Sequence, residues 1–135
     1  MKRTSFNRRP YTGRQSPARD AASAKAYTFL RVAVHQREGG LCVACGVHES
    51  LEEGNCHHRQ LRSRGGRDDA WNCIWLCSGC HGDIHANPAK STETGYLCPS
   101  WEDPAKWPLK CANGWFQPSP DGWATADHLR EVEAL

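Results

Sequence analysis

Long apolar runs are missing from this sequence. No stretch approaches the roughly 20 residues that a bilayer-spanning helix requires, and no continuous apolar segment follows the basic start as it would in a signal peptide. A membrane protein and a secreted disulfide scaffold are therefore the readings set aside first, and the cytoplasm is the expected compartment. Apolar residues other than glycine make up 39% of the chain, a modest supply for a core. Twelve glycines and eight prolines interrupt them further. A chain of 135 residues is then expected to form one domain with modest extensions around a small core. Acidic residues are absent from residues 1–16, which hold five basic ones. That segment is expected to be a disordered arm able to touch phosphates.

Cysteine, histidine and tryptophan are what the chain has instead. Small cores are commonly stapled by metal or by disulfides, and in a reducing compartment paired cysteines favour metal. Charge is also unevenly placed. Residues 1–67 carry thirteen Lys/Arg and five Asp/Glu, whereas residues 68–135 carry four and ten. A basic half beside an acidic half fits one face for an anionic polymer and another for a different partner.

Ser16-Pro17 reads as a helix start. Ala22, Ala26, Phe29, Leu30, Ala33 and Val34 recur at helical spacing, and Gly39-Gly40 should end the helix. That stripe is expected to be core. Short extended segments are expected near His57 and from Trp71 to Trp75, with a short helix from Cys80 to Asn87 closed by Asn87-Pro88. Beyond Pro88 lie four of the six tryptophans and a type I′ hairpin signal at Asn113-Gly114. The expected organisation is thus a basic arm at 1–16, a domain at 17–88 and a Trp/Pro-rich extension with a hairpin at 89–135.

Cys42-x₂-Cys45 and Cys77-x₂-Cys80 each present two thiolates to one point, and four sulfurs complete a structural, tetrahedral Zn²⁺ site. Cys56, Cys73, Cys98 and Cys111 read as small buried hydrophobes. Between and beside the two pairs lies a histidine group. His81 and His85 stand four apart on the expected helix and can grip one cation. His57 and His58 are neighbours on an extended segment, so their rings should point to opposite sides. One could bind metal while the other stays free as a base near neutral pH. His35, His48 and His128 read as ordinary satisfied histidines.

Cys56-His57-His58-Arg59-Gln60-Leu61-Arg62-Ser63-Arg64-Gly65-Gly66, followed by Trp71-Asn72, Leu76-Cys77-Ser78-Gly79-Cys80-His81 and Ile84-His85, resembles an HNH endonuclease of the ββα-metal (His-Me finger) class. The likeness runs from about Phe29 to Pro88. It implies an α+β fold: a small ββα-metal core stapled by the four-cysteine zinc, with an N-terminal helix and a C-terminal β-hairpin extension. It makes His58 the general base, and His57, His81 and His85 the ligands of a catalytic cation. Asn72 becomes the positioning amide. DNA is the implied substrate, with 5′-phosphate and 3′-hydroxyl ends as products. Many members carry Asp where this chain has His57, whereas the colicin DNases have a similar His-His pair. Three nitrogens suit Zn²⁺, Ni²⁺, Co²⁺ or Mn²⁺ better than Mg²⁺.

Arg59, Arg62, Arg64 and Arg67 crowd the loop after the base and are expected to contact the DNA backbone. The overall form, a basic arm, a CxxC-type HNH core and a Trp-rich tail, also looks like the small stand-alone HNH proteins of bacteriophages. Some of those act beside the terminase in DNA packaging, which implies host cytoplasm as the location and terminase subunits as partners. The competing expectation is a non-catalytic zinc module that binds nucleic acid or protein.

Overall fold

The computed structural model describes residues 17–111 and 114–126. The expected arm, the Ser16 cap, Asn113 of the expected turn and His128 lie outside the described residues. Helix α1 runs Pro17–Arg37. Gly39 and Gly40 follow it with φ of 64° and 74°, left-handed values that glycine adopts without a Cβ penalty. Gly40 N–H donates to the His35 carbonyl at 2.8 Å and so closes the helix end. The buried face of α1 differs from the expected stripe. Val34 is buried and Leu30 half-buried beside Tyr27, but Ala26 and Ala33 are exposed and Phe29 is 65% exposed. The polar residues Arg31, Arg37 and Glu38 share the inner face, so counting apolar residues alone misplaces it.

Strands β1 (Asn55–His58) and β2 (Cys73–Leu76) form an antiparallel ribbon, with His57 opposite Ile74 and His58 opposite Cys73. All four residues of β2 are buried, because each face of the ribbon is covered. Ile74 and Leu76 pack with Cys42, Ile84, Leu97 and Leu109. Cys73 and Trp75 turn the other way and pack with Val34 and Cys56 under α1. Helix α2 (Ser78–Ala86) follows directly, two residues earlier than expected, because Cys77 Sγ caps it by accepting from Cys80 N–H. The strand–strand–helix unit is therefore a ββα finger.

Helix α3 (Pro88–Glu93) packs on α2. The chain then forms a three-stranded antiparallel sheet, β3 (Leu109–Cys111), β4 (Gly114–Ser119) and β5 (Gly122–Thr125), in that order. The expected hairpin is its first two strands. Cys111 pairs with Gly114, so Gly114 belongs to the strand rather than the turn. No described helix is long and apolar enough to cross a membrane.

Arg59 ties this extension to the finger. It is 0% exposed, and its guanidinium donates to the carbonyls of Trp71 (3.1 Å), Gly95 (3.2 Å), Pro104 (2.8 Å) and Trp107. The expectation that Arg59 contacts DNA is corrected here: its charge is spent on four backbone oxygens and faces no solvent. Gln60 adds donations to Pro99 O and Glu102 O, both at 2.9 Å. Gly66 closes the next loop so tightly that a Cβ there would lie 1.7 Å from the Gln60 carbonyl oxygen.

Candidate metal centre and active site

The ribbon register sorts the two adjacent histidines. His57 shares a face with Ile74 and looks toward α2, where its ring centroid lies 5.1 Å from that of His81 and 5.4 Å from that of His85. His81 and His85 sit one helical turn apart, Nε2 to Nε2 3.1 Å. One nitrogen from each of the three rings falls within 4.8 Å of the others. Two nitrogens bound to one tetrahedral ion at about 2.05 Å would be separated by ~3.4 Å, so the group fits a divalent cation. His57 Nε2–H donates to the Tyr96 carbonyl at 2.7 Å. The carbonyl can only accept, so this bond leaves Nδ1 as the lone-pair nitrogen, the arrangement that orients metal-binding imidazoles. Burial holds the His57 ring neutral down to about 3, despite the opposing Tyr96 bond. Burial, aided by His85, also lowers His81.

His58 faces the other way, toward α1. Its ring stacks on Tyr27, centroids 6.1 Å apart at 20°. Its Nε2–H donates to Asp68 Oδ1 at 2.6 Å, which again leaves Nδ1 as the basic nitrogen. Arg62 grips the same carboxylate with two bonds of 2.9 and 2.8 Å and places its guanidinium 4.6 Å from the Tyr27 ring centre. Partial burial would raise the Asp68 carboxyl, but donation from His58 and Arg62 outweighs it and holds Asp68 below the usual range. Sequence reasoning missed both Tyr27 and Asp68. An acidic residue ten positions after His58 carries no spacing signal; the fold of the 59–68 loop brings it back.

Asn72 is 1% exposed. Its Oδ1 accepts from Gln60 N–H at 2.7 Å, and its Nδ2 donates to the carbonyls of Gln60 (2.9 Å) and Arg67 (3.0 Å). The Asn72 backbone carbonyl also accepts from Arg59 N–H at 2.9 Å. The side chain thus clasps both ends of the loop that follows His58. Of the expected phosphate contacts, Arg62 is engaged with Asp68, Arg67 is exposed, and Arg64 is exposed beside a cavity that His85 also lines.

Cys42, Cys45, Cys77 and Cys80 converge within 4.8 Å, and Cys45 and Cys77 Sγ lie 3.8 Å apart. Tetrahedral Zn–S bonds of about 2.3 Å imply ~3.8 Å between sulfurs. Burial would raise Cys42, but backbone donors of Cys77, Cys45 and Ala44 bring it down to about 7. Burial and the neighbouring thiols push Cys80 upward. Four sulfurs this close cannot all ionise without a cation among them, which fits a structural zinc. None of the eight cysteines is disulfide-bonded.

The ββα finger thus brings three imidazoles to one point beside a cluster of four cysteines, an arrangement suited to holding metal. Residues 42–87, about a third of the chain, match the family model "HNH endonuclease", so this segment is similar to that family. The chain is also 30% identical over 82 residues to the type IV methyl-directed restriction enzyme EcoKMcrA of Escherichia coli (strain K12). That alignment covers 54% of this chain and 30% of the enzyme, so the chain spans under a third of the relative's length. No solved structure matches the chain.

Proposed function

We propose that this protein is a metal-dependent endonuclease that hydrolyses DNA phosphodiester bonds. The single observation that carries the reading is the division of labour on β1. His57 joins His81 and His85 on one face while His58, with its Nδ1 left basic, faces the other. The family match at 42–87 supports the same reaction class.

His57, His81 and His85 would hold the divalent cation, with Zn²⁺, Ni²⁺, Mn²⁺ or Mg²⁺ as candidates. Such an ion, when bound, neutralises charge on the phosphate and on the departing 3′ oxygen. His58 Nδ1 accepts the proton of the attacking water. Asp68 is a positioning residue: it fixes the His58 tautomer and ring orientation. Tyr27 restrains the ring from above, and Asn72 fixes the loop that leads away from it. Cys77 and Cys80 anchor the start of α2, so a structural zinc would set the positions of His81 and His85. Arg64 and Arg67 remain as backbone contacts for DNA, and Arg62 would serve there only by sharing its hold on Asp68.

Supercoiled plasmid, incubated with each cation in turn, tests the reading. Wild type converts it to nicked or linear form, and His58→Ala loses about 10²–10⁴-fold of that rate. If both proteins are equally inert with every metal, the chain is a zinc-braced binding module instead. A packaging role beside a bacteriophage terminase, in the host cytoplasm, rests on the likeness in overall form alone. Co-purification with terminase subunits would test it.

A further inference from the structure

A cavity of about 320 Å³ opens beside the histidine triad, and the proposed chemistry leaves it unused. His85 belongs to both. Leu61, Leu97 and Pro99 supply an apolar wall, Arg64 stands at the mouth, and Trp101 lines the cavity while 81% exposed. Its indole is therefore open to a ring that enters the cavity. The volume lies at the lower end of the range for small-ligand pockets, about 300–1,000 Å³. A flat, apolar guest of modest size, joined to an anion, fits that lining.

We infer that this cavity receives a nucleobase of the strand being cut, unstacked from its neighbours and laid against the Trp101 indole, with Arg64 on an adjacent phosphate. The inference rests on the endonuclease reading, since the guest is part of the proposed substrate. Continuity through His85 places the base next to the phosphate that the triad would handle. Aromatic stacking tolerates every base, because each has a π face. Held this way, the strand has a fixed position without sequence readout. The cost of unstacking falls on duplex DNA, so single-stranded, frayed or mispaired segments are the favoured substrates.

Affinity for two single-stranded oligomers of equal length and charge tests this, one of thymidine and one of abasic deoxyribose phosphate. Fluorescence anisotropy is measured on the His58→Ala protein loaded with its cation, so that binding is read without turnover. About ten-fold tighter binding of the thymidine oligomer is expected. Trp101→Ala, added to that background, should remove the preference, while Arg64→Ala should weaken both oligomers alike. Equal affinity for the two oligomers overturns the proposal, as does a preference that survives Trp101→Ala. Wild-type plasmid cleavage is scored separately. Cleavage with no base preference sinks the pocket alone, whereas absence of cleavage sinks the endonuclease reading as well.

Discussion

Two imidazoles on one short strand have different surroundings: their Nε2 atoms meet different acceptors, a backbone carbonyl for His57 and a carboxylate for His58. The second acceptor can be removed without touching the metal ligands. Asp68→Ala leaves His58 free to rotate and to change tautomer, and should lower kcat about 10–100-fold, part of what a positioned base contributes. KM should stay within about two-fold, because no phosphate contact is lost, and Asp68→Asn, which can still accept from Nε2–H, should recover part of kcat. A loss confined to KM would reassign Asp68 to substrate binding. Protonation at His57 gives a second test at this scale. A cation displaces a proton from each imidazole that carries one, and burial keeps His57 neutral down to about 3. At pH 5.5 the triad should therefore release no more than two protons per cation, measured calorimetrically in buffers of different ionisation enthalpy. Release clearly above two would show that His57 carries a proton at that pH.

Among elements, the joint between the finger and the C-terminal extension combines an apolar seam, Leu109 of β3 on Ile74 and Leu76, with a polar tie. In that tie Arg59 reaches carbonyls from Trp71 to Trp107. Hydrogen bonds from a charged group contribute roughly 1.5–3 kcal/mol each, and buried acceptors left unmatched cost further. Arg59→Ala should therefore destabilise the fold by at least about 3 kcal/mol in denaturant titration. Arg59→Lys should rescue little of it, because an ammonium lacks the planar fork. A change below about 1 kcal/mol would mean the sheet is held by other contacts. Removing the chain beyond Pro88 would expose the guanidinium and the apolar face of Ile74 and Leu76 together. The same polar logic explains α1. Its inner face carries Arg37, whose Nη1 and Nη2 donate to Ala70 O (2.5 Å) and Cys73 O (2.6 Å); just past its end, Glu38 accepts from Trp123 Nε1–H at 2.8 Å. A periodicity of apolar residues cannot locate a face built from charges.

For the molecule as a whole, the core is two small clusters on either side of one strand, too little to fix catalytic geometry without help. The cluster of four cysteines supplies that help, and structural zinc sites commonly contribute folding free energy outright. Purified protein should contain one tightly held zinc besides an exchangeable cation. Cys80→Ser should reduce the tight zinc and lower the melting temperature together, by mass spectrometry and circular dichroism. Full stability with no zinc would remove the cluster from the account of the fold.

The sequence by itself determined what depends on short spacing. CxxC brings two sulfurs together in any tight turn, i and i+4 place His81 and His85 on one helical face, and alternation sends His57 and His58 to opposite sides. These are properties of a few consecutive residues, and they carried the convergence of the cysteine and histidine groups and the ββα order. Only the tertiary structure decided the fate of the long charged side chains. Arg59, Arg62 and Arg64 lie within six residues of one another in a single basic loop. One is buried under backbone carbonyls, one holds the Asp68 carboxylate that pairs with His58, and one stands open at the cavity. A guanidinium on a flexible stem can reach in many directions, and its destination is set by whichever oxygens the rest of the chain leaves unpaired. For Arg59 those oxygens come from segments 12 to 48 residues away, where no local pattern reaches.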